Sequence, residues 1–236
     1  MADAPAAPSW FSLKSEDRPA RLRGGFTLRS AGSMKSPAVR EAVLREAGLG
    51  GRPAFYLRQV HGDVIVPVRA DSRPDALPEA DGWVTDVPGP VLCVYMADCV
   101  PLLIWERTGK AVGAFHAGWR GLAKGMPTRA VEAFAKHYGI AAADLRAEIG
   151  PRVGACCYRV GPETAEQFRS EVRTERAGGV YLDLAKEAEI QLRQAGVGAV
   201  SKAGFCTSCH AESYFSFRRD KSDDRMMAFV SLENAA

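Results

Sequence analysis

Histidine, long apolar runs and net charge are all scarce in this chain, and each scarcity closes a class of function. Only His61, His116, His137 and His210 occur in 236 residues. Four imidazoles are too few to furnish the several separate copper centres of a multi-copper oxidase. No apolar run approaches the roughly 20 residues that a membrane-spanning helix needs. Lys and Arg total 31 against 28 Asp and Glu, a net +3, which is no basis for a nucleic-acid footprint. Internal repeats, coiled-coil heptads and long low-complexity stretches are absent as well. Residues 1–9 are rich in Ala and Pro and lack a basic stretch followed by an apolar core, so they do not read as a secretory signal. The expectation is a cytoplasmic protein, free of membrane, with residues 1–20 as a flexible segment ahead of a single domain, 21–236. Cysteines number 6, and in a reducing compartment all are expected to remain thiols. Adjacent Cys156 and Cys157 are badly placed to bridge each other.

What remains is the composition of an ordinary globular protein, 47% hydrophobic and 25% charged. A chain of this length buries a sizeable core without disulfides or a structural metal, so a metal site in it is expected to be functional. Residues 91–96 form a continuous apolar run, as in a strand buried on both faces. Runs 100–105 and 111–115 follow it, with Glu106 to Gly109 as a turn between them. Extended structure is also expected at 24–29, 54–60, 63–68, 197–205, 214–217 and 226–232. Helical spacing with Pro and Gly punctuation predicts helices over 37–49, 127–138, about 163–173 and 184–195. Strands and helices are intermixed, and tight turns join some strands. That combination predicts an α/β (α+β) domain with a mixed sheet.

Three of the scarce side chains stand at the ends of those apolar runs. Cys99 closes Ala97-Asp-Cys99, His116 opens His116-Ala-Gly-Trp-Arg-Gly121, and His61 closes Gln59-Val-His61 ahead of Gly62. If Glu106 and Gly109 face each other across the turn, Cys99 lies directly opposite His116, with Cβ atoms about 4.5–5.5 Å apart. Two imidazoles and a thiolate with a fourth position open are how a catalytic zinc is held. Copper, which binds such ligands more tightly, is the alternative ion. His61, Cys99 and His116 are therefore the candidate metal ligands. Asp98 and Asp81 are candidate proton carriers or orienting groups, and Gln59 shares a strand face with His61. Cys99 with His116 as its base would also make a thiol nucleophile.

Cys206-Thr-Ser-Cys209-His210 matches the pattern for covalent haem attachment. Lacking an export signal and a companion axial ligand, it is not expected to carry haem. Lacking a second Cys-x-x-Cys, it is not expected to form a structural zinc site. Arg120, in a Gly-flanked turn leading into a helix, and Arg218-Arg219, after the aromatic stretch 214–217, are candidate phosphate and purine contacts. Arg29 is a further phosphate candidate.

From about Gly24 onward a series of motifs runs in order: Gly25-Phe-Thr-Leu-Arg29, Gln59-Val-His61, Ala80-Asp-Gly82 with Thr85, and Ala97-Asp-Cys-Val-Pro-Leu102. His116-Ala-Gly-Trp-Arg-Gly121, Ile149-Gly-Pro151 with Cys157-Tyr158, Asp183-Leu184, Cys206-Thr207 and Phe215-Ser-Phe-Arg-Arg-Asp220 complete it. Together they resemble the YfiH-like family, described as purine nucleoside phosphorylases and formerly as polyphenol oxidases or laccases. The resemblance implies a cytosolic, single-domain mixed-sheet sandwich with flanking helices, and zinc held by His61, Cys99 and His116. It also implies phosphorolysis of adenosine, inosine, guanosine and methylthioadenosine with inorganic phosphate, and deamination of adenosine. Some relatives are tied to removing wrongly incorporated residues from cell-wall precursors, which would suit the thiol-nucleophile alternative. A monomer is expected. Residues 30–37 depart from the family, being short and lacking its Asn-Leu loop. If that loop meets nucleoside, affinity or substrate choice is expected to differ.

Overall fold

The computed structural model describes residues 8–15 and 17–234. In chain order the elements begin β1 (Trp10–Ser12), β2 (Leu22–Thr27), α1 (Pro37–Glu46), β3 (Ala54–Phe55), β4 (Ile65–Pro67), β5 (Gly82–Thr85) and β6 (Val91–Met96). There follow β7 (Val100–Glu106), β8 (Val112–Ala117), α2 (Trp119–Ala123), α3 (Met126–Tyr138), β9 (Leu145–Ile149), β10 (Arg159–Val160) and α4 (Pro162–Ala165). The chain ends with β11 (Arg173–Arg176), β12 (Gly179–Leu182), α5 (Leu184–Gln194), β13 (Ala199–Lys202), α6 (Phe217–Asp220) and β14 (Met226–Leu232).

Two mixed sheets face each other. One is ordered β1-β2-β14-β6-β3 and the other β13-β9-β7-β8-β5-β4, with a small third sheet β10-β12-β11. The central strands β6, β7, β8 and β14 read as largely apolar runs because both of their faces are covered. Along β14, Met226, Ala228 and Val230 join Trp105, Leu103 and Ala114 in the core between the sheets. Met227 and Phe229 point the other way, against Val43 and Leu44 of α1. Along β7, Leu102 and Ile104 turn away from the inter-sheet core towards Phe134 of α3 and Leu192 of α5. Each Val, Leu, Ile, Phe or Met side chain among them contributes about 1.5–3 kcal/mol on burial. The result is a mixed-sheet α/β sandwich with flanking helices. Among the described residues no helix is long and apolar enough to cross a membrane.

Four expectations are corrected. Within the segment 1–20, Trp10–Ser12 forms a strand paired antiparallel with β2. The chain after it is tied down by Lys14 and Ser15, whose N–H groups donate to buried Glu148. Residues 1–7 and 16 lie outside the described residues. The helix over 163–173 stops at Ala165, and the chain turns into a β11–β12 hairpin whose Gly178 and Gly179 take φ of 99° and 138°. β11 is Arg-Thr-Glu-Arg, so no apolar alternation marks it. The stretch 214–217 ends in a helix, because the Ser216 hydroxyl accepts the Arg219 N–H at 3.2 Å and caps α6. Finally, His116 pairs with Pro101 rather than Cys99. The β7–β8 loop is wider than expected because the Glu106 carboxylate accepts Thr108 N–H (2.9 Å), the Thr108 hydroxyl (2.6 Å) and Lys110 N–H (3.0 Å). The ladder therefore closes from Glu106 N–H to Ala111 O at 2.9 Å.

One connection positions everything that follows. Residues 97–99 carry the chain from β6 in one sheet to β7 in the other, so Asp98 and Cys99 sit at an end of the sandwich.

Candidate active site

His61, Cys99 and His116 converge at that end. One ligand-type atom from each lies within 4.8 Å of the others, and the two imidazole rings are 4.9 Å apart and nearly perpendicular at 82°. The two-residue register shift leaves Cys99 beside His116 because Cys99 lies in the turn just before β7. His61 holds a left-handed backbone, φ 59°, as does Asp98 at φ 88°. Such conformations cost non-glycine residues about 1–3 kcal/mol and persist where the surroundings enforce them.

For His61 the enforcing group is Asp81. Its carboxylate is fully buried and accepts the N–H groups of Val60 (3.2 Å), His61 (3.0 Å) and Gly62 (2.6 Å). It also bonds His116 Nδ1 at 2.8 Å, which turns His116 Nε2 outward as a ligand and is a common second support for a metal-binding imidazole. Two glycines of the His-Ala-Gly-Trp-Arg-Gly motif let the chain close. A Cβ at Gly118 would lie 3.0 Å from His61 Cδ2 and 3.1 Å from Cys99 Sγ, and one at Gly121 would lie 2.8 Å from Gly62 O.

The charges suit a cation. Burial works against a Cys99 thiolate, but the charge and hydrogen bond of His116 and the hydrogen bond of His61 outweigh it and bring the thiol down to about 6. Burial likewise opposes charge on His116, yet Cys99 and Asp81 push it up to about 9. Asp81 is held below the usual carboxylate range: burial raises it, and the bonds from His116, Gly62 and His61 prevail. A thiolate and two imidazoles, one backed by a carboxylate, are a donor set that fits a divalent ion with a position left open.

The three side chains line a cavity of about 640 Å³, within the usual span for small-molecule sites. Asp98 also lines it; its oxygens accept the Thr207 hydroxyl at 2.6 Å and the Arg218 N–H at 2.7 Å. Gln59 lines it too, but its amide is occupied, donating to Tyr95 O at 2.9 Å and accepting Tyr95 N–H at 2.7 Å. Of the candidate arginines only Arg218 is in the wall, its guanidinium over the Tyr158 ring at 4.9 Å. Arg29 lies over Phe215 and donates to Ala211 O at 3.0 Å. Arg120 stacks on Trp119 at 4.4 Å. Arg219 is spent on Thr207 O, Ser208 O, Tyr214 O and the Asp220 carboxylate. The cavity is completed by Lys35, Lys221 and Arg225 as cations and Tyr95 as a ring, which no motif announced, and by the rings of Tyr158 and Phe217, which belong to the motifs Cys157-Tyr158 and Phe215-Ser-Phe-Arg-Arg-Asp220. Lys35 comes from the shortened stretch 30–37 and pairs with Asp223.

Residues 35–233 match the family model described as multi-copper polyphenol oxidoreductase laccase. The chain belongs to this YfiH-like family. It is 34% identical over 199 residues to purine nucleoside phosphorylase YfiH of Escherichia coli, covering 82% of this chain and 79% of the relative. A purine nucleoside phosphorylase of Pseudomonas aeruginosa is 32% identical over 240 residues, covering 92% and 96%. Among solved structures, YlmD of Geobacillus stearothermophilus superposes with a TM-score of 0.87 at 29% identity, covering 97% of each chain. YfiH of Bacillus licheniformis gives 0.87 at 28% identity, covering 96% of this chain and 97% of that one. The matched span of this YfiH-like chain contains His61, Asp81, Asp98, Cys99 and His116.

Proposed function

We propose that this protein is a metal-dependent purine nucleoside phosphorylase acting on adenosine, inosine, guanosine and methylthioadenosine, with adenosine deamination as a second activity. The observation that carries this reading is the convergence of His61, Cys99 and His116 in the wall of a nucleoside-sized cavity otherwise lined by rings and cations. The names of the relatives from Escherichia coli and Pseudomonas aeruginosa support it. The laccase wording of the family description implies several copper centres. Among the described residues, only His61 and His116 of the four histidines share a group of ligands, which favours one histidine-held ion over several copper centres.

Phosphorolysis breaks the bond between sugar C1′ and the purine nitrogen and forms one from C1′ to a phosphate oxygen; the purine leaves and takes up a proton. Lys35, Arg218, Lys221 and Arg225 supply the positive charge that holds phosphate in place. Tyr95, Tyr158 and Phe217 offer faces for the purine. His61, Cys99 and His116 would hold the ion, zinc first and copper as the alternative. When bound, it supplies Lewis-acid polarisation of a substrate atom. Cys99 then serves as a ligand rather than a nucleophile. Asp81, with four hydrogen-bond donors on a fully buried carboxylate, orients His61 and His116 and has no reach into the cavity. Asp98 faces the cavity and is the carboxylate placed to pass a proton to or from the substrate.

Incubation of the pure protein with adenosine and phosphate, followed by chromatography, tests this. Adenine with ribose 1-phosphate is the expected product of phosphorolysis and inosine that of deamination. No product from any purine nucleoside overturns the reading.

A further inference from the structure

In the sequence, Cys206-Thr-Ser-Cys209 has no second Cys-x-x-Cys to complete it. The fold supplies a different partner, the adjacent pair Cys156 and Cys157. After β9 the chain runs alongside the segment that follows β13, with Arg152 bridged in parallel to Cys206. Thr207 N–H donates to Arg152 O at 3.0 Å and Ala203 N–H to Ile149 O at 2.8 Å. These backbone bonds stitch the two loops together, and the thiols meet at their tips. All four sulfurs lie within 4.8 Å of one another. Cys209 Sγ is 3.4 Å from Cys156 Sγ and 3.3 Å from Cys157 Sγ.

A zinc ion with four sulfurs at about 2.3 Å in a tetrahedron sets those sulfurs roughly 3.8 Å apart, and the observed spacing brackets that value. Gly154 N–H donates to Cys206 Sγ at 3.2 Å, the sort of supporting bond that orients a ligand. A Cβ at Gly154 would come within 3.1 Å of Cys156 Sγ and 3.2 Å of Cys206 Cβ, so a glycine there lets the loops close this far.

We propose that Cys156, Cys157, Cys206 and Cys209 form a second metal site, binding one zinc ion as a tetrathiolate. Four sulfurs close the coordination sphere and leave no position for substrate, so the site is structural. Sulfurs this close surround one ion rather than a cluster of irons. Binding releases the thiol protons to solvent. The ion staples two loops that build the cavity wall. Tyr158, next to Cys157, lines the cavity, and Thr207, next to Cys206, holds Asp98 through its 2.6 Å bond.

The test uses full-length protein purified under reducing conditions without added metal. Zinc is counted by plasma emission in wild type, Cys206→Ser and Cys209→Ser. Its ligands are identified by X-ray absorption in His61→Ala, where the other metal group is disabled. The expected result is one zinc per chain fewer in either serine variant than in wild type, and an all-sulfur shell in His61→Ala. Equal zinc in wild type and both variants overturns the proposal. So does iron in place of zinc, or a disulfide among these four residues mapped by mass spectrometry. If the variants do not fold, cobalt-substituted wild type decides: a tetrahedral tetrathiolate spectrum upholds the site, and its absence overturns it. Nucleoside turnover is not a readout, so failure of the phosphorylase reading leaves this result intact.

Discussion

His61, Cys99 and His116 on one side and Cys156, Cys157, Cys206 and Cys209 on the other are both compact groups of metal-binding side chains, yet they are built in opposite ways. The first mixes imidazole with sulfur, has an incomplete set of donors, and is backed by a buried carboxylate with four hydrogen bonds. Cys99 and His116 stand at ends of the fully buried strands β7 and β8, His61 lies in the loop between β3 and β4, and all three open onto a cavity. The second is all sulfur and complete, lies in loops, and has two exposed members. An incomplete donor set held rigidly and supported from behind leaves room for chemistry, whereas a complete set between loops braces them.

The strongest way to break that contrast is to damage each group in turn. His116→Ala lowers kcat/KM for adenosine phosphorolysis by about 10³-fold, or about 4 kcal/mol of transition-state stabilisation. Cys209→Ser keeps activity within about tenfold and instead lowers Tm by several degrees, as a loss of 1–2 kcal/mol does in a domain of this size. Equal losses of activity in steady-state assays would erase the distinction. Next in size is Asp81→Asn, which weakens metal binding about 10–100-fold by removing the anionic support of His116. Competition with a chelator measures it, and unchanged affinity removes Asp81 from that role.

Two neighbouring arginines sharpen the comparison further. Arg218→Ala raises KM for phosphate about tenfold with kcat little altered, the signature of lost ground-state binding. Arg219→Ala leaves that KM alone and lowers Tm, because its guanidinium serves backbone carbonyls and Asp220. The smallest effect lies outside both groups. Burial works against the Glu106 carboxylate, but the bonds from Thr108 and Lys110 hold its pKa below the usual range. Its stabilisation is therefore complete above the unfolded-state pKa and is lost as pH falls through the lowered folded-state value. Glu106→Gln costs about 1 kcal/mol at pH 7, and the gap to wild type closes on acidification in urea melts. A gap that stays constant with pH would show that the charge is not what holds the turn.

The inter-sheet core was legible because β6, β7, β8 and β14 read as apolar runs, broken near their ends only by the buried Glu106, His116 and Ser231. The candidate metal ligands were legible because Cys99 and His116 stand at ends of the β7 and β8 runs and His61 closes Gln59-Val-His61 ahead of Gly62. The β7–β8 register was not, since it depends on which turn atoms the Glu106 side chain binds. The β11 strand was hidden by its polar sequence. Lys35, Lys221 and Arg225 carried no signal because surface cations are common and only loop paths bring these three to one cavity.

By itself, then, the amino-acid order determined a mixed-sheet α/β domain and the chemistry of one thiol with two imidazoles, because hydrophobic periodicity and donor type are local properties. Which carboxylate orients and which faces the cavity, which of four arginines reaches it, and whether four scattered cysteines ever meet were decided only by the tertiary fold. Hydrogen bonding and coordination act over a few ångströms, and sequence separation says nothing about distances that short.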